Sequence, residues 1–309
     1  MKQHYRQFLT VGLVALLSLI AACSSSGATS SGSSSLSKAT SSGASSSGTA
    51  SGLPAGFQGP YLTPVNIYPP WGYEDSAGNI QGIAVDFPEA IAKTLGTSTS
   101  LEVNSFENQI TGVESGKYPW VIGAELTAVR EQQYDMVPLL ADSSSFAVLA
   151  NANPIGDSMM DVCGLTVGLI AGTSQIPTLT ALSAQCKAAG KGAVTLDTYN
   201  DRPTMDLALK SGRINAETVA TDTLAYTVKT QPGFIKGTGP IYNYTLECVL
   251  TKKGTGFAHS VANAINKMIA NGTYAALLAK WGLTSGALTE ATVNPNPSSP
   301  SSWHLRSKS

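Results

Sequence analysis

Histidine is nearly missing from this chain. Of three in 309 residues, His4 lies in the apolar N-terminal segment and His304 near the end, which leaves His259 alone in the body. A histidine-based triad is therefore hard to build. Cysteine is scarce as well: Cys23, Cys163, Cys186 and Cys248 show neither CxxC spacing nor a cysteine–histidine cluster. That argues against a zinc site, and nothing in the sequence calls for a metal or a cofactor. Arginine is rarer than lysine, and between residues 7 and 201 Arg130 stands alone. Lysine supplies a solvated charge almost anywhere, whereas the planar arginine fork is needed mainly where a carboxylate is gripped by two parallel hydrogen bonds. A surface salt bridge is the plain alternative for a single arginine, so its neighbourhood has to decide.

What is present sets the compartment. Residues 1–22 carry Lys2 and Arg6, then an apolar stretch from Phe8 to Ala22, and Cys23 follows Ile20-Ala21-Ala22. A short basic region, a short apolar core and small residues before a cut make a secretory signal rather than a membrane span. Ile-Ala-Ala-Cys resembles a bacterial lipobox, which implies lipidation of Cys23 and a membrane held through that lipid. Residues 23–56 are then a Ser/Gly-rich tether with a reach of roughly 30 Å, too polar to build a core. The tail, 289–309, rich in Pro, Ser and Asn, reads as disordered. Without residues 1–22 the net charge falls from −1 to −3, because Lys2 and Arg6 leave with them. This balance argues against a nucleic-acid partner, which would want a basic stripe. Outside the cytoplasm an oxidised pair is expected. Cys163 and Cys186 bracket one strand–loop–helix unit and form the expected disulfide; Cys248, in the apolar run Leu246–Leu250, reads as a buried free thiol.

The body alternates strands and helices. Val65–Tyr68 reads as a strand and Asp75–Asn79 as a turn. Asp86 reads as the cap of a helix with Pro88 in its first turn, Glu89 and Lys93 paired, and Gly96 at its end. A strand at Leu101–Val103, a helix over 107–115 and a strand at Tyr118–Ile122 complete a βαβαβ pattern, the signature of an α/β sheet. The pattern restarts at Leu165–Ile170 and runs to a helix near Asp222–Lys229. Two amphipathic helices, His259–Ala270 and Thr273–Trp281, close the chain. About 230 residues with the pattern run twice imply two lobes.

A family resemblance rests on seven short motifs in one order. They are Tyr68-Pro69-Pro70-Trp71; Gly82-Ile83-Ala84-Val85-Asp86; Phe106 before a helix ending Ser115-Gly116-Lys117; and Thr127-x-x-Arg130. Gly172-Thr173-Ser174, Ser211-Gly212-Arg213 and Ala220-Thr221-Asp222 follow. Over roughly residues 57–288 the chain resembles the extracellular solute-binding proteins of family 3, the polar amino-acid class. The resemblance implies an α/β fold of the type II periplasmic-binding-protein kind: a two-lobed clamp of mostly parallel sheets flanked by helices, with two hinge strands. Lobe one would be 57–147 with 247–288, and lobe two 148–246. It implies a monomeric, lipid-anchored extracytoplasmic receptor that binds an amino acid in the cleft and delivers it to an ABC transporter permease. A sensing subunit, or a cyclohexadienyl or arogenate dehydratase-like enzyme, would be the alternatives on this fold.

Residue by residue, the resemblance puts the ligand carboxylate on Arg130, with backbone N–H groups of Thr127 and Ser174 as added donors and Thr173 among the ligand residues; Ser174 stands at a helix N-terminus, where an anion is favoured. Asp222 would take the ammonium group, and Tyr68 and Phe106 would sandwich the side chain. Asn215 stands where relatives space an acid after Gly-Arg, two residues further from Asp222 than usual. Glu125 replaces the usual Ser or Thr, and either a bound cation or Arg130 would be its partner. Relatives that bind basic amino acids often carry an acid three residues before the first aromatic; Val65 stands there, which weighs against lysine or arginine.

Overall fold

The computed structural model describes residues 53–306. The signal, Cys23 and nearly all of the tether lie outside the described residues, as do the last three. Among the described residues eight α-helices and ten strands follow one another. The first part holds β1 (Tyr61–Val65), the small hairpin β2 (Tyr73–Glu74) and β3 (Ile80–Gln81), α1 (Ile83–Thr94), β4 (Thr99–Val103), α2 (Phe106–Ser115), β5 (Trp120–Glu125) and α3 (Ala128–Gln133). Next come the long strand β6 (Tyr134–Leu149), then β7 (Thr166–Ile170), α4 (Gln175–Ala188), β8 (Thr195–Tyr199), α5 (Arg202–Lys210), β9 (Ala216–Ala220) and α6 (Thr221–Thr230). The second long strand, β10 (Ile235–Lys252), leads to α7 (Phe257–Ala270) and α8 (Thr273–Trp281).

β1 and β4 pair in parallel, while six strands share one sheet in the order β5-β10-β6-β9-β7-β8. β7 is parallel to both β8 and β9; β10 is antiparallel to β5 and β6, and β6 to β9. The architecture is an α/β two-lobed clamp of the type II binding-protein kind, and β6 and β10 are the strands long enough to serve both lobes. The boundaries drawn from the sequence, at 147/148 and 246/247, fall inside these two strands. β10 is irregular between Thr238 and Tyr242, between Tyr242 and Thr245, and again after Glu247. Extra residues at such points bend a strand and increase its twist.

Two hydrophobic cores result. The larger one gathers Phe87 and Ile91 from α1, Trp120 from β5, Leu139 from β6, and Phe257, Ile265 and Tyr274 from the last helices. The smaller lies under β7 and α4, with Phe146, Leu169, Leu179 and Cys186. Cys186 is bonded to Cys163, as the sequence led one to expect, and Cys248 is a fully buried free thiol in β10. Among the described residues no helix is long and apolar enough to cross a membrane.

Two sequence expectations are corrected. Asp86 does not cap α1: Gly82, at φ 140°, takes that position, because a Cβ there would lie 2.2 Å from the Trp71 carbonyl oxygen. The Asp86 carboxylate, a turn further on, instead accepts from Trp281 Nε1 at 2.8 Å and pairs with Lys280. The tail is ordered as far as the structure describes it. Leu288 bridges to Leu305, and Thr289 N–H donates to the His304 carbonyl. Asn294 exchanges hydrogen bonds with the Met136 backbone, accepting through Oδ1 and donating through its own N–H, each at 2.8 Å. Trp303, 2% exposed, stacks on Tyr244 with ring centroids 5.7 Å apart. Polar composition hid an aromatic anchor and a set of backbone partners.

Candidate functional site

Arg130 reaches its place through α3. Thr127 caps that short helix, its hydroxyl accepting from Arg130 N–H at 3.0 Å, so the arginine leaves the first turn directly beneath the end of β5. The residue is 8% exposed, yet among the described residues it forms no ion pair. Nη1 donates to the Glu125 carbonyl at 2.7 Å, and Nη2 crosses the cleft to the Gly172 carbonyl at 3.0 Å. The guanidinium also lies 5.5 Å from the Phe106 ring centre. A buried guanidinium without a carboxylate is costly unless something else brings the anion.

The cavity beside it measures about 100 Å³, and Tyr68, Trp71, Phe106, Arg130, Thr173 and Glu247 are among its walls. That is well below the roughly 300–1,000 Å³ of drug-sized sites, which restricts an occupant to a small molecule. Phe106 opens α2, whose cap is Ser105, and Tyr68 forms a tight turn in which Trp71 N–H donates to its carbonyl. Each ring of the expected sandwich thus carries a protein guanidinium: Phe106 that of Arg130, and Tyr68 that of Arg202, 5.5 Å away. Arg202 is itself buried, donating to Asp206 at 2.7 Å and to Glu217. Burial raises the Glu217 carboxyl to about 7, against the opposing pull of Arg202.

Three expected ligand residues do not line the cavity. Thr127 spends its hydroxyl on the α3 cap, a use separate from the backbone N–H expected to meet the ligand. Ser174, at the N-terminus of α4, donates its hydroxyl to the Glu125 carboxylate. Asp222 turns toward Trp71 Nε1, which donates to it at 3.0 Å, and toward Thr223 and Asp142. Burial, and then the charge of Asp142, hold the Asp222 carboxyl well above the usual range. The displacement agrees with the altered spacing around Asn215, whose side chain is committed to capping the edge of β7 through Thr166 N–H at 2.8 Å.

Of the two partners expected for the Glu125 side chain, Arg130 is not the one it meets, although Glu125 does line the cavity. Only its backbone carbonyl meets Arg130. Its carboxylate occupies the N-terminus of α4, bonded by Ser174, by Gln175 Nε2 at 2.7 Å and by Asn243 Nδ2 at 3.3 Å. Burial nevertheless raises its carboxyl, with Ser174 opposing. The anion-binding helix end that the sequence pattern offers to a ligand is thus filled by the protein's own glutamate. Gln175, Asn243, Arg202 and Glu247 were not found from the sequence. They come from separate elements, and no motif marks them; Asn243 is held at φ 53° in the irregular part of β10. Among the described residues no group of three or more metal-ligating side chains occurs.

Comparison with known proteins completes the picture. The chain is 28% identical over 242 residues to the arginine-binding protein ArgT of Corynebacterium glutamicum, covering 74% of this chain and 76% of that one. It is 27% identical over 219 residues to the L-cystine-binding protein TcyJ of Escherichia coli K12, covering 69% and 79%. A solved ancestral arginine-binding protein bound to arginine superposes with a TM-score of 0.62 at 25% identity, over 71% of this chain and 98% of the other. Residues 64–284 match one family throughout, leaving the ordered tail outside it, and the chain belongs to the bacterial extracellular solute-binding proteins, family 3.

Proposed function

We propose that this solute-binding protein is a lipid-anchored extracytoplasmic receptor that binds an amino acid, or a close analogue, between its lobes and delivers it to an ABC importer. The observation that carries the reading is Arg130: a buried guanidinium without an ionic partner among the described residues, facing a small cavity walled by the aromatic side chains of Tyr68, Trp71 and Phe106. A ligand carboxylate would complete its coordination, and closure of the lobes would favour the ligand by its preferential affinity for the closed form. The names of the curated relatives, which bind arginine and cystine, support an amino-acid ligand. The receptor acts as a monomer, tethered by a lipid on Cys23, and performs no catalysis.

A thermal-shift screen against the twenty protein amino acids and L-cystine tests the reading, since binding raises apparent stability by mass action. Arg130→Ala should reduce affinity for whichever amino acid binds by roughly 100-fold or more, as expected when one partner of a buried charge pair is removed. Affinity preserved within a few-fold would end the carboxylate-clamp assignment. Turnover of prephenate or arogenate by the purified protein would move it to the enzymes of this fold. The intact mass of the mature N-terminus reports lipidation of Cys23.

A further inference from the structure

Four acidic side chains lie within reach of one another's charge, Glu125 and Glu247 lining the cavity with Asp142 and Asp222 behind them, and three of the four are already in use. Glu125 accepts from Ser174, Gln175 and Asn243. Asp142 accepts from Ser143 N–H at 2.8 Å and from the Thr221 hydroxyl. Asp222 accepts from Trp71 and Thr223. Glu247 differs. It lines the cavity, is 5% exposed, and has no hydrogen-bond donor among the described residues, its Oε2 being enclosed by protein without a partner. It stands directly across the strands from Glu125, so the two side chains share a face of the sheet, where like charges repel. Arg130 lines the same cavity without pairing to it. A carboxylate buried without donors is unfavourable unless a cation arrives to meet it.

We propose that Glu247 receives the α-ammonium group of the amino-acid ligand, beside the carboxylate held by Arg130, in the place that the family resemblance gives to Asp222. An α-amino acid carries its two charges on adjacent carbons, which suits an acid and a guanidinium that share one wall but do not bond each other. The assignment rests on the amino-acid reading above. It also gives the hinge strand β10 a direct part in recognition, since Glu247 stands in it opposite Glu125 of β5 and Leu140 of β6, next to a shift in register.

Isothermal titration of the purified protein tests it, with each of the twenty amino acids and L-cystine as probes, and with every binder's counterpart bearing hydrogen in place of the α-amino group. Glu247→Gln keeps the shape and removes the charge. It should weaken amino-acid binding by about 30-fold or more. It should leave the deaminated counterpart's affinity within about threefold, so that discrimination between the pair collapses. Asp222→Asn should retain that discrimination. Melting curves check that both variants fold; should Glu247→Gln fail to, Glu247→Asp takes its place and should lower affinity for the amino acid but not for its counterpart. Unchanged discrimination in Glu247→Gln, or its loss in Asp222→Asn alone, overturns the assignment while leaving the receptor reading intact. No amino acid binding to the unaltered protein overturns both.

Discussion

Replacing Trp303 with alanine separates a docked C-terminal segment from a disordered one. In a disordered tail the change would cost nothing. In the structure the indole is 2% exposed, stacked on Tyr244, and its Nε1 donates to the Asn296 carbonyl at 2.8 Å. Truncating a buried tryptophan to alanine costs about 3–5 kcal/mol through lost burial and the cavity left behind. Tyr244 is itself more than half exposed, so the lower end of that range is the better guide. For a domain of this size each kcal/mol moves the melting temperature by roughly 2–4 °C, which gives a drop on the order of 10 °C. Thermal unfolding followed by far-ultraviolet circular dichroism measures it, with the exposed Ser298→Ala as a control that should stay within about 1 °C of the parent. Ending the chain after Leu288 should destabilise it as well, because the Asn294–Met136 and Asn266–Ala291 hydrogen-bond pairs go with the indole. If Trp303→Ala melts with the parent and the shortened chain is equally stable, the segment does not dock.

Two further expectations concern bonds elsewhere in the fold. Removing the Cys163–Cys186 bridge, which closes a separation of 23 residues, should cost about 3 kcal/mol on the loop-entropy account; urea unfolding with and without a reducing agent reads it. Peptide mapping that joined Cys186 to Cys248 would contradict the pairing. Glu217 carries its carboxyl at about 7 in the folded protein, above its ordinary value of 4.5. The folded state therefore holds a proton that the unfolded chain releases, and this group's contribution is full below about 4.5 and declines as pH rises through 7. Glu217→Gln should flatten that part of the stability–pH curve, and an unaltered slope would place the titration on another group.

The sequence was most legible where a signal is local. Thr273–Trp281 matches its expected bounds because Asn271-Gly272 starts the helix, Gly282 ends it, and apolar residues keep helical spacing between them. The first strand was displaced, observed at Tyr61–Val65 instead of Val65–Tyr68, since Tyr68 is drawn into a turn closed by Gly72. The two hinge strands came only from the family resemblance, and no local pattern gave their extents, Tyr134–Leu149 and Ile235–Lys252. Asp142-Ser143-Ser144-Ser145 is a poor strand sequence by propensity, and it is extended because β9 and β10 supply partners on either side. Within the site, Arg130 stood out by rarity, and Tyr68 and Phe106 through family order. Glu247 could not be found that way. Its significance depends on Glu125 lying across the strands from it and on the other acids being occupied, facts that exist only once distant segments meet.

Cys248 gives the hinge strand a built-in clock. The thiol is fully buried between β5 and β6, its sulfur near the Leu246 carbonyl, and burial followed by the neighbouring Glu247 pushes its ionisation well upward. A thiol-specific reagent can reach it only when β10 parts from its neighbours. The rate of labelling in native buffer thus counts those openings one molecule at a time, without any engineered probe. A ligand that bridges Arg130 and Glu247 would slow the count in proportion to its occupancy.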